Sequence, residues 1–158
     1  MSHDEEKSLQ PVLVSACLLG RECRYDGAHN ADSRLSAELE ARGERAIPFC
    51  PEEHGGLGTP RPPAWIESND AAAVLAGDAR VVTEDGEDVT ANFLDGARGA
   101  LDACTESGAT RAYLKERSPS CGACSTHVAG ELTDGPGVTT ALLQSAGVEV
   151  EGVAGRRG

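Results

Sequence analysis

The sequence predicts a single α/β domain: a mostly parallel, Rossmann-like sheet with helices on both faces. Three observations carry that expectation. The chain has 158 residues, the length of one domain and enough to close a core. Short apolar runs alternate with stretches of helical periodicity, the pattern of strands laid side by side through helical crossovers. The first of these runs opens with three successive apolar residues, Val12-Leu-Val14, instead of alternating with polar ones, which suits a strand covered on both faces.

In chain order, residues 1–10 are polar and are expected to form a disordered tail ahead of one domain over 11–153, and no secretory signal is recognised. Residues 12–16 read as the first strand. The loop after it, from Cys17 to Gly27, carries charges, Tyr25 and two glycines. A helix fits 33–41, with Leu35 and Leu39 one turn apart, Asp32 or Ser33 at its start and Gly43 past its end. Residues 46–49 form the second strand. It runs into 50–63, where four prolines and three glycines predict a long irregular loop. Residues 79–83 read as a third strand and 84–87 as a turn. Asp88 can cap a long helix reaching about residue 107, with Phe93, Ala97, Ala100, Leu101 and Cys104 as its apolar stripe and Gly108 as its stop. A strand at 111–114, a loop, a helix over 138–146 and a strand at 148–150 complete the chain.

Composition narrows the function. The net charge is −12, which weighs against the clustered basic surface that nucleic acid or an anionic membrane requires. No apolar run reaches membrane-spanning length. The expected location is therefore cytoplasmic, where six cysteines serve as thiols or metal ligands and not as a disulfide framework. Two Phe, two Tyr and one Trp leave the core to Leu, Val, Ala and Ile.

The chemistry concentrates at strand ends. Cys17 and Cys50 each follow a predicted strand, and Cys121 lies in the loop after residues 111–114 together with Lys115, Ser118 and Ser120. In a parallel sheet, ligands bind beyond the carboxyl ends of the strands, so the three cysteines face one crevice. Three thiolates from separate loops suit zinc, copper(I) or an iron–sulfur cluster. A cubane normally takes four thiolates. Three would leave one iron with an open position, as three protein ligands do at catalytic zinc, and such an iron has affinity for a thiolated substrate. Asp26, Glu52, Glu53 and Lys115 flank the cysteines and are the candidate acid–base groups, although a solvated surface is the ordinary place for such residues. Ser118 and Ser120 can hydrogen-bond a heterocycle or simply serve the turn around Pro119.

Other residues carry plainer readings. Cys104 on the helix stripe reads as core filler, and Cys23 as a loop thiol or a fourth ligand. Cys121-Gly-Ala-Cys124 is a C-x-x-C, redox-active where it opens a helix, which Pro119 and Gly122 do not favour. His54 and His127 read as surface histidines. Tyr25 and Trp65 can stack on a flat ring or cover the core. The residues alone therefore leave three classes open: a metal–thiolate enzyme, a thiol redox or sulfur-transfer protein working through Cys121 and Cys124, and a non-enzymatic metal-sensing module with a closed site that draws on Cys23 or His54.

A set of local motifs resembles the thiouracil desulfidase family. They are Ser15-Ala-Cys-Leu-Leu-Gly20, Tyr25-Asp-Gly27, Cys50-Pro-Glu52, Gly56-Leu57 with Thr59-Pro-Arg-Pro-Pro63, and Asp88-Val-Thr90 with Phe93 and Gly96-Ala97. Leu114-Lys-Glu116 with Ser118-Pro-Ser-Cys-Gly122, and Gly137-Val-Thr139 with Leu142-Leu143, continue the match to about residue 150. The resemblance implies an oxygen-sensitive [4Fe-4S] cluster held by three cysteines, by position Cys17, Cys50 and Cys121. It also implies conversion of thiouracil, a small thiolated heterocycle, to uracil and hydrogen sulfide. On that scheme Glu52 or Asp26 is the general base, and Lys115, Ser118 and Ser120 orient the ring. One departure stands out: residues 123–134 are shorter than the family's usual segment and lack its aromatics, which points to a different substrate preference if that segment walls the pocket.

Overall fold

The computed structural model describes residues 9–20, 32, 34–58, 62–115, 125–128 and 131–153. In chain order the strands are β1 (Gln10–Ser15), β2 (Glu44–Phe49), β3 (Ala64–Ile66), β4 (Val81–Thr83), β5 (Arg111–Lys115), β6 (Ser125–Val128), β7 (Glu131–Asp134) and β8 (Glu149–Val153). The helices are α1 (Leu35–Ala41), α2 (Pro51–His54), α3 (Ala71–Ala76), α4 (Thr90–Ser107) and α5 (Val138–Ser145), and a 3-10 turn spans Ala16–Leu19.

Four strands form the expected parallel sheet in the order β2-β1-β5-β8. The apolar run of β1 explains its central place. Val12 and Val14 face one side, against Leu35 and Leu39 of α1 and Tyr113 of β5. Leu13 faces the other, against Ala112 and Leu114 of β5, Ala100 and Cys104 of α4 and Leu143 of α5. Side chains alternate across a strand, so a strand with helices on both faces is apolar at successive positions, as at Val12, Leu13 and Val14. Burial of each of Val12, Leu13 and Val14, at most 1% exposed, contributes about 1.5–3 kcal/mol.

The helix boundaries follow local chemistry. An Asp32 carboxylate oxygen accepts the Arg34 N–H at 3.1 Å ahead of α1. Asp88 does the same for α4, accepting from the Thr90 N–H at 2.9 Å and the Thr90 hydroxyl at 2.6 Å. Gly108, at φ 80°, ends α4 in the left-handed conformation that glycine adopts without a steric penalty.

The structure departs from expectation between the two halves of the parallel sheet. Val81–Thr83 is a strand, but it does not join that sheet. It pairs antiparallel with β3 in a second sheet of order β4-β3-β6-β7, in which β3 and β6 are parallel and β6 and β7 antiparallel. The reason is a partner nearer in the chain: Ala64–Ile66, three residues that show no readable periodicity, lies one short helix away. That helix, α3, starts where Asp70 accepts the Ala73 N–H at 2.9 Å and ends at Gly77, φ 86°. Nor is 50–63 irregular throughout. Pro51 at the first helical position opens the single turn of α2.

The long helix α4 joins the two sheets. Its first half, through Phe93 and Ala97, packs with Ile66, Val74, Val81 and Val138. Its second half, through Ala100 and Cys104, packs under the parallel sheet. Among the described residues no helix is long and apolar enough to cross a membrane.

Candidate metal centre

The strand order defines where the site lies. From β1 the chain moves to one side for β2, then to the other for β5 and β8. The order reverses at β1, and in wound sheets the crevice beyond the carboxyl ends at such a reversal is where ligands bind.

Cys17 sits in the 3-10 turn that continues β1 into this crevice, and it is 9% exposed. The turn is anchored from below by fully buried Leu18. Its end is fixed by Gly20 at φ 97°, whose N–H donates to the Cys17 carbonyl at 3.3 Å. The Leu18 carbonyl accepts the N–H of Asp32 at 2.9 Å, which ties the turn to the start of α1.

Cys50 follows β2. The register pairs Ser15 with Phe49, so Cys17 and Cys50 leave adjacent strands at the same edge. Cys50 is half-buried, and its carbonyl accepts the His54 N–H at 2.9 Å to close the turn of α2. Glu52 and Glu53, both half-buried, are in that turn. His54 is exposed, with its ring 5.0 Å from that of Phe49.

The third strand end belongs to β5. The Lys115 N–H donates to the hydroxyl of Ser15 at 2.9 Å, across from β1. The chain therefore enters the segment that carries Ser118, Ser120 and Cys121 from the same edge that presents Cys17 and Cys50. Asp26, Ser118, Ser120 and Cys121 lie outside the described residues, as do Cys23, Cys124 and Tyr25. The structure thus brings together Cys17, Cys50 and the end of β5 at Lys115, with Glu52 two residues beyond Cys50. Trp65 is half-buried on β3 of the second sheet, and His127 lies on β6. Cys104 is 2% exposed under the parallel sheet, and burial pushes its thiol pKa up, as befits a core residue. Cysteine sulfur at two neighbouring strand ends suits a soft metal or an iron–sulfur group by its chemistry, while among the described residues no group of three or more ligating side chains comes together.

Sequence reasoning missed what seats Cys50. Helix α4 presents buried Gly96 and Gly99, one turn apart, to the Cys50 turn. A Cβ on Gly96 would lie 2.7 Å from the Pro51 carbonyl carbon, and one on Gly99 would lie 3.0 Å from the Phe49 ring. A Cβ on Gly55 would lie 2.9 Å from the Asn92 carbonyl carbon, and the Asn92 side-chain amide donates to the Gly55 carbonyl at 2.8 Å. The readable signal was the G-x-x-G spacing inside a predicted helix, where glycine costs about 0.5–1 kcal/mol against alanine.

Known proteins resemble this chain along most of its length. The family model for 2-thiouracil desulfurase matches residues 12–152. The uncharacterized protein YbbK of Bacillus subtilis (strain 168) is 42% identical over 142 residues, 88% of this chain and 93% of that protein. The solved structure of the [4Fe-4S]-dependent thiouracil desulfidase TudS is similar at a TM-score of 0.76 and 44% identity, over 90% of each chain. A match that runs from the middle of β1 to the last strand shows that the chain belongs to the 2-thiouracil desulfurase family.

Proposed function

We propose that this chain is a [4Fe-4S]-dependent desulfidase that converts thiouracil, or a related thiolated heterocycle, to uracil and hydrogen sulfide in the cytoplasm. The observation that carries the reading is the edge shared by Cys17, Cys50 and the end of β5, at the reversal point of a parallel sheet. The proposed ligands are Cys17, Cys50 and Cys121. These three thiolates would hold the cluster, which would supply Lewis acidity toward the thiocarbonyl sulfur.

The remaining chemistry falls to the chain's own groups. Glu52 is the proposed general base, taking a proton from the water that attacks the thiocarbonyl carbon, with Asp26 as the alternative. Lys115, Ser118 and Ser120 orient the ring and stabilise the charge that develops on it. Overall, water adds its oxygen to carbon, the carbon–sulfur bond breaks and the sulfur leaves as hydrogen sulfide. Electrons balance without a donor, so the reaction is a hydrolysis. The net charge of −12 supports a small-molecule partner over nucleic acid.

The test is anaerobic reconstitution followed by assay of iron and acid-labile sulfide, with about four of each per chain expected for a cubane. The reconstituted protein should then release sulfide from 2-thiouracil while the thiocarbonyl absorbance falls. Negligible iron overturns the reading and directs attention to the Cys121–Cys124 pair.

A further inference from the structure

The position of Cys50 is set from outside its own strand. The turn that carries it meets α4 main chain to main chain. On Gly96, the hydrogen that stands where a Cβ would be faces the Pro51 carbonyl; on Gly55, the corresponding hydrogen faces the Asn92 carbonyl. The two contacts are reciprocal Cα–H···O approaches, of the kind that recur where helices come close. The Asn92 amide adds a conventional hydrogen bond to the Gly55 carbonyl at 2.8 Å. Phe49 and His54, whose rings pack on each other at a centroid distance of 5.0 Å, close the other side of the seat over Gly99. Three residues of the turn, Pro51, His54 and Gly55, and Phe49 at the end of β2 are thus fixed against one helix. Cys50 and Glu52 lie between these fixed points.

We propose that Gly96, assisted by Asn92, is a positioning residue for Cys50: the missing side chain at Gly96 sets how closely the Cys50 turn approaches α4, and so sets where the Cys50 sulfur stands relative to Cys17. This rests on the reading that Cys50 is a cluster ligand, but the geometry is a property of the metal-free chain. Any side chain at Gly96 must displace the Pro51 carbonyl, because the obstruction is backbone and cannot rotate away. Such a displacement moves the residues that flank the site and leaves β1, the 3-10 turn and Cys17 in place.

The test uses two variants of the full chain, Gly96→Ala and Asn92→Ala. Asn92→Ala removes only one side-chain hydrogen bond, so it keeps the question open to measurement should Gly96→Ala not fold. Alkylation of each cysteine in the metal-free protein is followed by peptide mass spectrometry, with Cys17 as internal reference and Cys104 as the reporter of general loosening. The expected result is a several-fold rise in Cys50 labelling relative to Cys17, larger for Gly96→Ala, with Cys104 still protected. After anaerobic reconstitution, the electron paramagnetic resonance of the reduced cluster should shift its g values in the same order. Unchanged Cys50 labelling in every variant that folds, or Cys104 labelling that rises in step with Cys50, overturns the proposal. Failure of the parent chain to take up iron would instead count against the cluster reading, and the labelling experiment would still decide the positioning role.

Discussion

The Ser15 hydroxyl accepts the backbone N–H of Lys115 at 2.9 Å, so a side-chain oxygen joins β1 to β5 at the edge where Cys17 and the Lys115 segment leave the sheet. Ser15 is 3% exposed, and water is poorly placed to substitute for it. Ser15→Ala should therefore destabilise the fold by about 0.5–1.5 kcal/mol, the net contribution of one intramolecular hydrogen bond. It should also slow turnover, because Lys115 leads directly into the segment with Ser118, Ser120 and Cys121. A urea midpoint equal to that of the parent protein would remove this contact from the account.

The cysteines should separate into two groups. Alanine at Cys17, Cys50 or Cys121 should abolish both iron binding and sulfide release. Cys104→Ala should keep both and cost about 1 kcal/mol, the loss of a small buried group and its packing contacts. Metal content and thermal unfolding of the four variants check this together. A fully active Cys121→Ala would sink the ligand assignment, and loss of iron in Cys104→Ala would show that the core assignment is wrong.

How legible all this was in the sequence depends on how each element is specified. Strands β1 and β5 were readable because burial makes short apolar runs, and β2 and β8, only partly buried at the sheet edges, from the short runs at 46–49 and 148–150. Helix α4 was readable because 18 residues display several turns of one stripe and end at Gly108. The second sheet was not. Its β3 and β4 have three residues each, and β6 and β7 read Ser-Thr-His-Val and Glu-Leu-Thr-Asp, where pairing and not hydrophobic period decides the conformation. The signals for α3, Asp70 and Gly77, were present but framed an all-apolar hexapeptide without amphipathic contrast. At the site, Cys17 and Cys50 were legible because they follow strands. The seat formed by Gly55, Gly96 and Asn92 was not, because it depends on contacts between segments about 40 residues apart, which a local pattern does not encode.

Asp88 gives a prediction in pH. Hydrogen bonds from the Thr90 hydroxyl and then the Thr90 N–H hold its carboxyl below the usual aspartate value, with a smaller contribution from Arg80. Asp88 is half exposed, and Arg80 approaches it only to 3.9 Å, so solvent screens the ion pair and the bonds to Thr90 carry the effect. A group whose pKa is depressed on folding stabilises the protein above its unfolded value and loses that contribution as pH falls through its folded value. Asp88→Ala should thus cost about 1 kcal/mol at neutral pH, as for the loss of a helix cap. The difference from the parent protein should shrink below roughly pH 4, where the unfolded carboxyl begins to protonate. Unfolding curves at neutral and acid pH test it, and a gap that stays constant across that range would contradict it.

Glu52 separates holding the cluster from using it. It stands two residues after Cys50 on α2, where Pro51 and the bond from the His54 N–H to the Cys50 carbonyl at 2.9 Å fix the course of the turn. Replacing its carboxylate by an amide keeps size and backbone while removing the ability to accept a proton. Glu52→Gln should therefore bind iron and labile sulfide as the parent does and lose roughly 10²–10⁴ in kcat, the contribution of a positioned general base. KM should change little, since no interaction with the resting heterocycle is assigned to Glu52. Were kcat unchanged at full cluster content, proton abstraction would belong to another group, and Asp26→Asn would be the next variant to measure. Were the cluster lost along with the rate, Glu52 would have to be counted among the groups that hold the metal and not as the base.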